Sequence, residues 1–383
     1  MTEQDGKIKC ELDGGLCHAI PNYLKKYHSE VSLEEYKERF PEAPLFSETA
    51  KEILKKRKDQ EVSVEKETED KTKKPLYEVF GYEKTTPGMC SASGNPICIT
   101  VLDKNDLPEE SRIHIPEIDD GFVYIADILK TVMFAVESSI PTLIWGMQGA
   151  GKTTIIEQVC ARTNRPAMRI QHSRDTEQSH IVGQWLVRDG ATKFELGPLA
   201  VAMRHGFVYI ADEYDFALPS VTALYQAVME GGNLFVKEAD AENRIIKPHP
   251  NFRFFATGNT NGSGDETGLF QGTMVQNAAN YERFGMVIEA EYLPKEAEIR
   301  ILKNKIGLDD DGASKLVRYA NITREGFKNG EISIPMSPRS LLYAARIGIA
   351  FGNYMKGLER AYLGRLDSGS AATARESAQR IFK

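Results

Sequence analysis

The chain has 383 residues, room for two or three domains and a sizeable core, with a formal net charge of -7. An acidic balance of this size argues against a chain-wide nucleic-acid surface but leaves local basic patches open. No apolar run approaches the ~18 residues of a membrane helix. The cysteines Cys10, Cys17, Cys90, Cys98 and Cys160 are scattered and odd in number, and the opening "MTEQDGKIKCELDGG" lacks an apolar signal core. The expectation is a cytoplasmic protein with reduced thiols.

In chain order, residues 1–50 predict a small unit with its own apolar residues and turns. Residues 51–75, dense in charge of both signs, read as a solvated helix or linker. Residues 76–118 contain Gly, Pro and β-like pieces such as "ICITVL" and predict a connector or small β-rich appendage. From about residue 119, apolar strand-like runs alternate with helical stretches. The runs are "PTLIW" (141–145), "AMRIQ", "FVYIAD", "FRFFATGN" and "MVIEAEYL". This alternation predicts an α/β core over 119–293, a mostly parallel sheet with helices on both faces. Two inserts read as β-hairpins, one over 183–197 turning at Asp189-Gly190 and one over 233–249. Residues 294–383 are expected to be helical, a lid and tail that include one helix through "SPRSLLYAARIGIAFGNYM".

Three stretches carry chemistry. "GMQGAGKT" (146–153) matches G-x-x-x-x-G-K-[ST]. Its glycines let backbone N–H groups turn inward, so Gly146, Met147, Gln148, Gly149, Ala150 and Gly151 form a phosphate cradle. Lys152 reaches the outer phosphates, the Thr153 hydroxyl ligates Mg²⁺, and Thr154 continues a helix whose N-terminus faces the anion. Alone, such a motif can be a glycine-rich turn with an incidental lysine; a strand before it and a helix after it favour ATP and Mg²⁺. "FVYIADEYD" (207–215) is an apolar strand with acids at its carboxyl end, where parallel sheets bind ligands. Asp212 fits the Mg²⁺-organising carboxylate and Glu213 the group that polarises an attacking water. "FRFFATGNTNG" (252–262) ends on Asn259, either an amide for the attacking water or terminal phosphate, or a plain strand-ending asparagine.

With these elements in order the chain resembles an AAA+ ATPase. Stretches such as "RDGATKFELGPLAVAMRHGFVYIADEYDFALPSV", "RIIKPHPNFRFFATGNTNGSGDETGLFQGT" and "EYLP" resemble the MoxR branch, and within it the CobS subunit of aerobic cobaltochelatase. The resemblance spans about residues 115–345, with a looser likeness over 77–118. It implies a homo-hexameric ring with nucleotide between neighbours, remodelling of a partner bearing a von Willebrand A-like domain, and, within CobS, metal insertion into a corrin-like macrocycle. In that family Lys152, Thr153, Asp212, Glu213 and Asn259 match Walker A, Walker B and sensor 1. Arg283, in "ERF" where D-R-F is usual, matches the arginine finger; Glu282 is the departure. Arg339, in "SPRS", matches sensor 2, although its spacing also suits a helix-start arginine facing solvent. The two hairpins match the inserts that line the pore or touch client and partner; Trp185 suits a core or a client-facing position equally.

Residues 10–48 resemble the zinc-finger-like unit of Ros/MucR-type regulators, especially in "YLKKYH" and "SLEEYKERFPEAP". On that spacing Cys10 and His28 keep ligand positions, while Asp13 and Tyr23 hold the other two; Cys17 and His18 lie nearby, out of place. The expectation is a degenerate, metal-free finger that docks a partner or client. A nucleic-acid-associated motor is the competing reading, since "YLKKYH" is basic with interleaved aromatics, though "EVSLEEYKE" is acidic.

Overall fold

The computed structural model describes residues 7–41, 43–48, 50–51, 72–188, 190–265 and 268–382. Most of the charged segment expected as a linker, residues 52–71, lies outside the described residues. The chain divides into two compact units, residues 1–73 and 74–383.

In the first unit Ile8–Lys9 pairs antiparallel with Leu16–Cys17, followed by helices Ile20–Tyr27 and Leu33–Arg39. The second helix starts at a capping box. The Ser32 hydroxyl accepts from the Glu35 N–H, and the Glu35 carboxylate accepts from the Ser32 N–H. Cys10, Ile20, Leu24 and Tyr36 are its buried core. Ligand-type atoms of Cys10, Asp13 and His28 lie within 4.8 Å of one another. Asp13 Oδ2 accepts from the Tyr23 hydroxyl at 2.9 Å and lies 3.0 Å from His28 Nε2. The Gly15 N–H and then His28 hold the Asp13 carboxyl down at about 2, and the bond to Asp13 raises His28 above its usual value. His18 stands apart, on Ser47 at 2.9 Å.

The second unit is built on five strands, β1 Thr142–Gly146, β2 Ala167–Gln171, β3 Val208–Asp212, β4 Arg253–Gly258 and β5 Met286–Ala290. Every pairing is parallel and the order is β5-β1-β4-β3-β2. All residues of β3 and β4 are buried, as central parallel strands require. Alternate side chains serve opposite faces. Tyr209, Ala211, Phe254 and Ala256 pack with Leu199, Met203 and Tyr225. Val208, Ile210 and Phe255 pack with Val132, Ile156 and Val159. Each fully buried large side chain of this kind contributes about 1.5–3 kcal/mol. Leu76, Phe80, Met89, Ile99 and Val101 join the second cluster, so residues 76–118 pack directly into this core. So does helix Ala126–Ser138.

Helices Lys295–Ile306, Asp310–Lys328, Pro338–Ala350, Tyr354–Ala361 and Ser368–Ile381 follow the sheet. The single helix expected through residues 337–355 is therefore two. Gly352 takes φ 60 and the Asn353 side chain accepts from the Lys356 N–H, so this Gly-Asn pair ends one helix and caps the next. Arg324 pins the first helices together: both its terminal nitrogens bond Glu298 at 2.8 Å, Nε donates to the Met336 carbonyl at 2.9 Å, and Tyr292 stacks at 4.2 Å. Removing one partner of such a buried pair costs about 3–5 kcal/mol.

Both expected hairpins are present. Gly183–Arg188 pairs with Ala191–Leu196, its turn residue Asp189 lying outside the described residues, and Leu234–Phe235 pairs with Ile245–Ile246. Trp185 is 47% exposed, packs edge-on against Phe194, and donates its Nε1 hydrogen to the Glu238 carbonyl. It thus ties one insert to the other rather than entering the core. Among the described residues no helix is long and apolar enough to cross a membrane.

Candidate nucleotide site

β1 ends at Gly146, and helix Lys152–Arg162 begins beyond a left-handed Gly151 at φ 84. A Cβ at Gly146 would stand 2.3 Å from the Ala290 carbonyl oxygen, so only glycine allows β5 this close. Lys152 Nζ donates to the carbonyls of Gly146 at 2.7 Å and Met147 at 3.1 Å, and to Asn259 Oδ1 at 3.0 Å. The lysine thus closes the loop from below and joins it to the end of β4. Burial pushes its pKa down to about 8, with Arg339 acting in the same direction, while Asp215, Asp212 and Glu213 oppose the shift.

The Thr153 hydroxyl donates to Asp212 Oδ1 at 2.7 Å. Thr257 donates to the same oxygen, and Arg169 donates through Nε to Oδ2 at 2.8 Å. Burial alone would raise the Asp212 pKa; the hydroxyls of Thr257 and Thr153 and the Arg169 guanidinium outweigh it and hold the carboxyl below its usual range. A hydroxyl and an ionised carboxylate in contact are hard oxygen donors, so these residues fit Mg²⁺. Glu213 takes the left-handed φ of 52, a conformation that costs a non-glycine residue about 1–3 kcal/mol and clusters at working sites. Its Oε2 accepts from Gln171 Nε2 at 2.7 Å.

Arg339 lies in the first turn of helix Pro338–Ala350, which Ser337 caps. A Cβ on Gly149 would meet Ser337 Cβ at 3.1 Å and the Arg339 nitrogen at 3.5 Å, so this helix start rests on the phosphate loop. The Arg339 side chain is exposed. Beside the loop, Phe122, Val123, Ile125, Ile155 and Leu293 line an apolar cleft that includes Gly151 and Lys152. Arg283 is not in this cluster. It follows helix Ala278–Tyr281 and donates to Glu230 Oε1 at 2.6 Å and to the Ala279 carbonyl.

Lys152, Thr153, Asp212, Glu213 and Asn259 therefore meet at the carboxyl edge of the sheet. Arg169, Gln171, Asp215 and Thr257 were not anticipated. Arg169 and Gln171 left one signal, since alternate residues of "AMRIQ" share a face and these two are polar. Thr257 left none.

A parallel sheet in this order, with a phosphate loop after its first strand and paired acids after its third, defines a P-loop nucleotide-binding ATPase. The AAA domain (dynein-related subfamily) model matches residues 141–274, and the CbbQ/NirQ/NorQ C-terminal model matches residues 298–365. The chain is 34% identical over 279 residues to the aerobic cobaltochelatase subunit CobS of Sinorhizobium sp, covering 70% of this chain and 83% of that protein. It is 25% identical over 254 residues to protein NorQ of Paracoccus denitrificans, covering 66% and 87%. The RuvB Holliday junction branch migration motor of Thermotoga maritima superposes with a TM-score of 0.41 at 14% identity, covering 64% of this chain and 72% of that one. The chain belongs to the MoxR-like AAA+ ATPases, the family of CobS, and is a nucleotide-binding ATPase.

Proposed function

We propose that this protein hydrolyses ATP with Mg²⁺ between neighbouring copies of a homo-hexameric ring and uses the cycle to remodel a partner. The observation that carries it is the Thr153–Asp212 bond at 2.7 Å, which joins the phosphate loop to the acid strand. Lys152 and the backbone N–H groups of 147–151 bind the phosphates. Thr153 and Asp212 would hold Mg²⁺, which when bound neutralises charge between the outer phosphates. Glu213 accepts the proton of the attacking water, and Asn259 orients that water or the terminal phosphate. Arg339 in the same chain and Arg283 from a neighbour stabilise the charge that develops in transfer.

Glu213→Gln should bind ATP and turn it over at least about a hundredfold more slowly. Turnover at the normal rate would remove Glu213 from its role. Arg283→Ala should keep ATP binding and lose most hydrolysis, the arginine finger being worth about 10³–10⁵ in the GTPases. Mixed with an Arg283-bearing, Lys152-disabled chain, it should regain activity; a monomer as fast as the assembly would return Arg283 to an ordinary surface cation.

The partner is proposed to carry a von Willebrand A-like domain, on the strength of the MoxR resemblance. The similarity to CobS favours a second reading, in which the work is insertion of a metal into a corrin-like macrocycle. Pull-down with the Glu213→Gln chain separates them: a large chelatase subunit supports metal insertion, and another client supports general remodelling. Residues 1–50 are proposed as the docking unit, kept in shape by Tyr23, Asp13 and His28 without a metal.

A further inference from the structure

Asp215 lies three residues past the Asp212 acid, in the short turn Tyr214–Phe216 that the left-handed Glu213 begins. It is fully buried, at 0% exposure. An ionised group in such a place needs a strong reason, because an unpaired buried charge costs several kcal/mol. Its Oδ2 accepts three hydrogen bonds, from the backbone N–H of Asn259 at 2.9 Å, the backbone N–H of Thr260 at 2.8 Å and the Thr260 hydroxyl at 3.0 Å. Its Oδ1 is buried without a partner among the described residues. Its own carbonyl accepts from the Met274 N–H at 2.7 Å, so one residue holds both ends of the segment after β4.

The two backbone donors are the first to leave the sheet when β4 ends at Gly258. Two buried N–H groups with no ladder partner would otherwise leave the chain direction at Asn259 unset. With the carboxylate gripping them, the Asn259 backbone is fixed while its side chain reaches Lys152 Nζ at 3.0 Å.

We propose that Asp215 is a positioning residue for ATP hydrolysis: it touches no substrate, and acts by clamping the backbone of residues 259 and 260 so that the Asn259 amide and Lys152 share one geometry. This rests on the proposed role of Asn259.

The test uses the full chain, with Asp215→Ala, which removes the acceptor oxygen, Asn259→Ala and the double variant, each measured for ATP turnover and for affinity toward a fluorescent ATP analogue. A displaced group near the reacting atoms can cost about a hundredfold in rate. Asp215→Ala should lose about that much in kcat while its nucleotide affinity stays within about threefold of the parent. In the Asn259→Ala background it should add little, because the two act as one unit. Unchanged kcat in Asp215→Ala, or losses that multiply fully in the double variant, would overturn the clamp. A parent chain without ATPase activity would instead defeat the functional reading itself. Hydrogen exchange on the parent protein supplies a reading independent of any variant's folding. The amides of Asn259 and Thr260 should be protected like those of β4, and exchange as fast as in residues 261–264 would also refute the clamp.

Discussion

Two clusters of charged side chains in this molecule follow opposite logic. At the carboxyl edge of the sheet, Lys152, Asp212 and Glu213 are brought into one site but bonded to different partners: Lys152 to two carbonyls and Asn259, Asp212 to two hydroxyls and Arg169, Glu213 to Gln171. At residues 13–28, one carboxylate takes the Tyr23 hydroxyl and the His28 ring together. The first arrangement holds ionic groups beside backbone donors on a glycine loop, ready to serve a polyanion and a cation. The second joins its acid and its base to each other. The difference teaches that residue type alone does not make a ligand site; what matters is whether the groups are directed at one another or at a shared space.

The sharpest way to break this comparison is Lys152→Ala. At the sheet edge it should abolish detectable nucleotide binding or turnover in a fluorescent-nucleotide titration and a phosphate-release assay. Retained affinity would mean that the glycine loop and helix N-terminus alone hold the phosphates.

A smaller effect comes from pH. Lys152 is held down at about 8 by burial, and a bound triphosphate favours its charged form. Its pKa in the complex is therefore higher than in the free protein. Below about 8 the lysine is already protonated and affinity should be flat. Above it, binding must take up a proton, so affinity should fall by up to about tenfold per pH unit until the complex's own pKa is reached. Calorimetry in buffers of different ionisation enthalpy should register that uptake. Flat affinity to pH 9.5 would place the Lys152 proton outside the binding equilibrium.

Much of this site is legible in the sequence alone. The sheet strands begin at or one residue after the starts of the apolar runs, and the central strands β3 and β4, buried on both faces, are continuous runs. Lys152, Thr153, Asp212 and Glu213 were legible because each stands at or after the end of a strand by a fixed local spacing. Asp215 and Thr257 were not, since each bonds a group 45 residues away at the carboxyl ends of β3 and β4, which only the parallel register brings together. The break at Gly352 was hidden for another reason: an apolar helical period on either side of a Gly-Asn pair reads as continuous until the cap is seen.

The smallest expected effect lies in the first unit, and it tests the other half of the comparison. Asp13 has its pKa pulled down to about 2 by Gly15 and His28, so it contributes stability that is present above the ordinary 3.8 and lost as pH falls through about 2. His28 is raised above 6.5 by Asp13, so it contributes stability that is full below 6.5 and lost as pH rises through its folded value. Hydrogen-exchange protection over residues 8–40 of the full chain should accordingly be greatest between pH 3.8 and 6.5. Asp13→Asn should return the His28 titration toward 6.5 and weaken protection modestly, because the pair is solvent-accessible and screened. Zinc at a hundred times a true dissociation constant would add about 2.7 kcal/mol to such a unit. Zinc or a chelator should instead leave the protection unchanged. A large zinc-dependent gain that requires Cys10, Asp13 and His28 would show that these groups share a space for a ligand after all, and the contrast with the sheet edge would collapse.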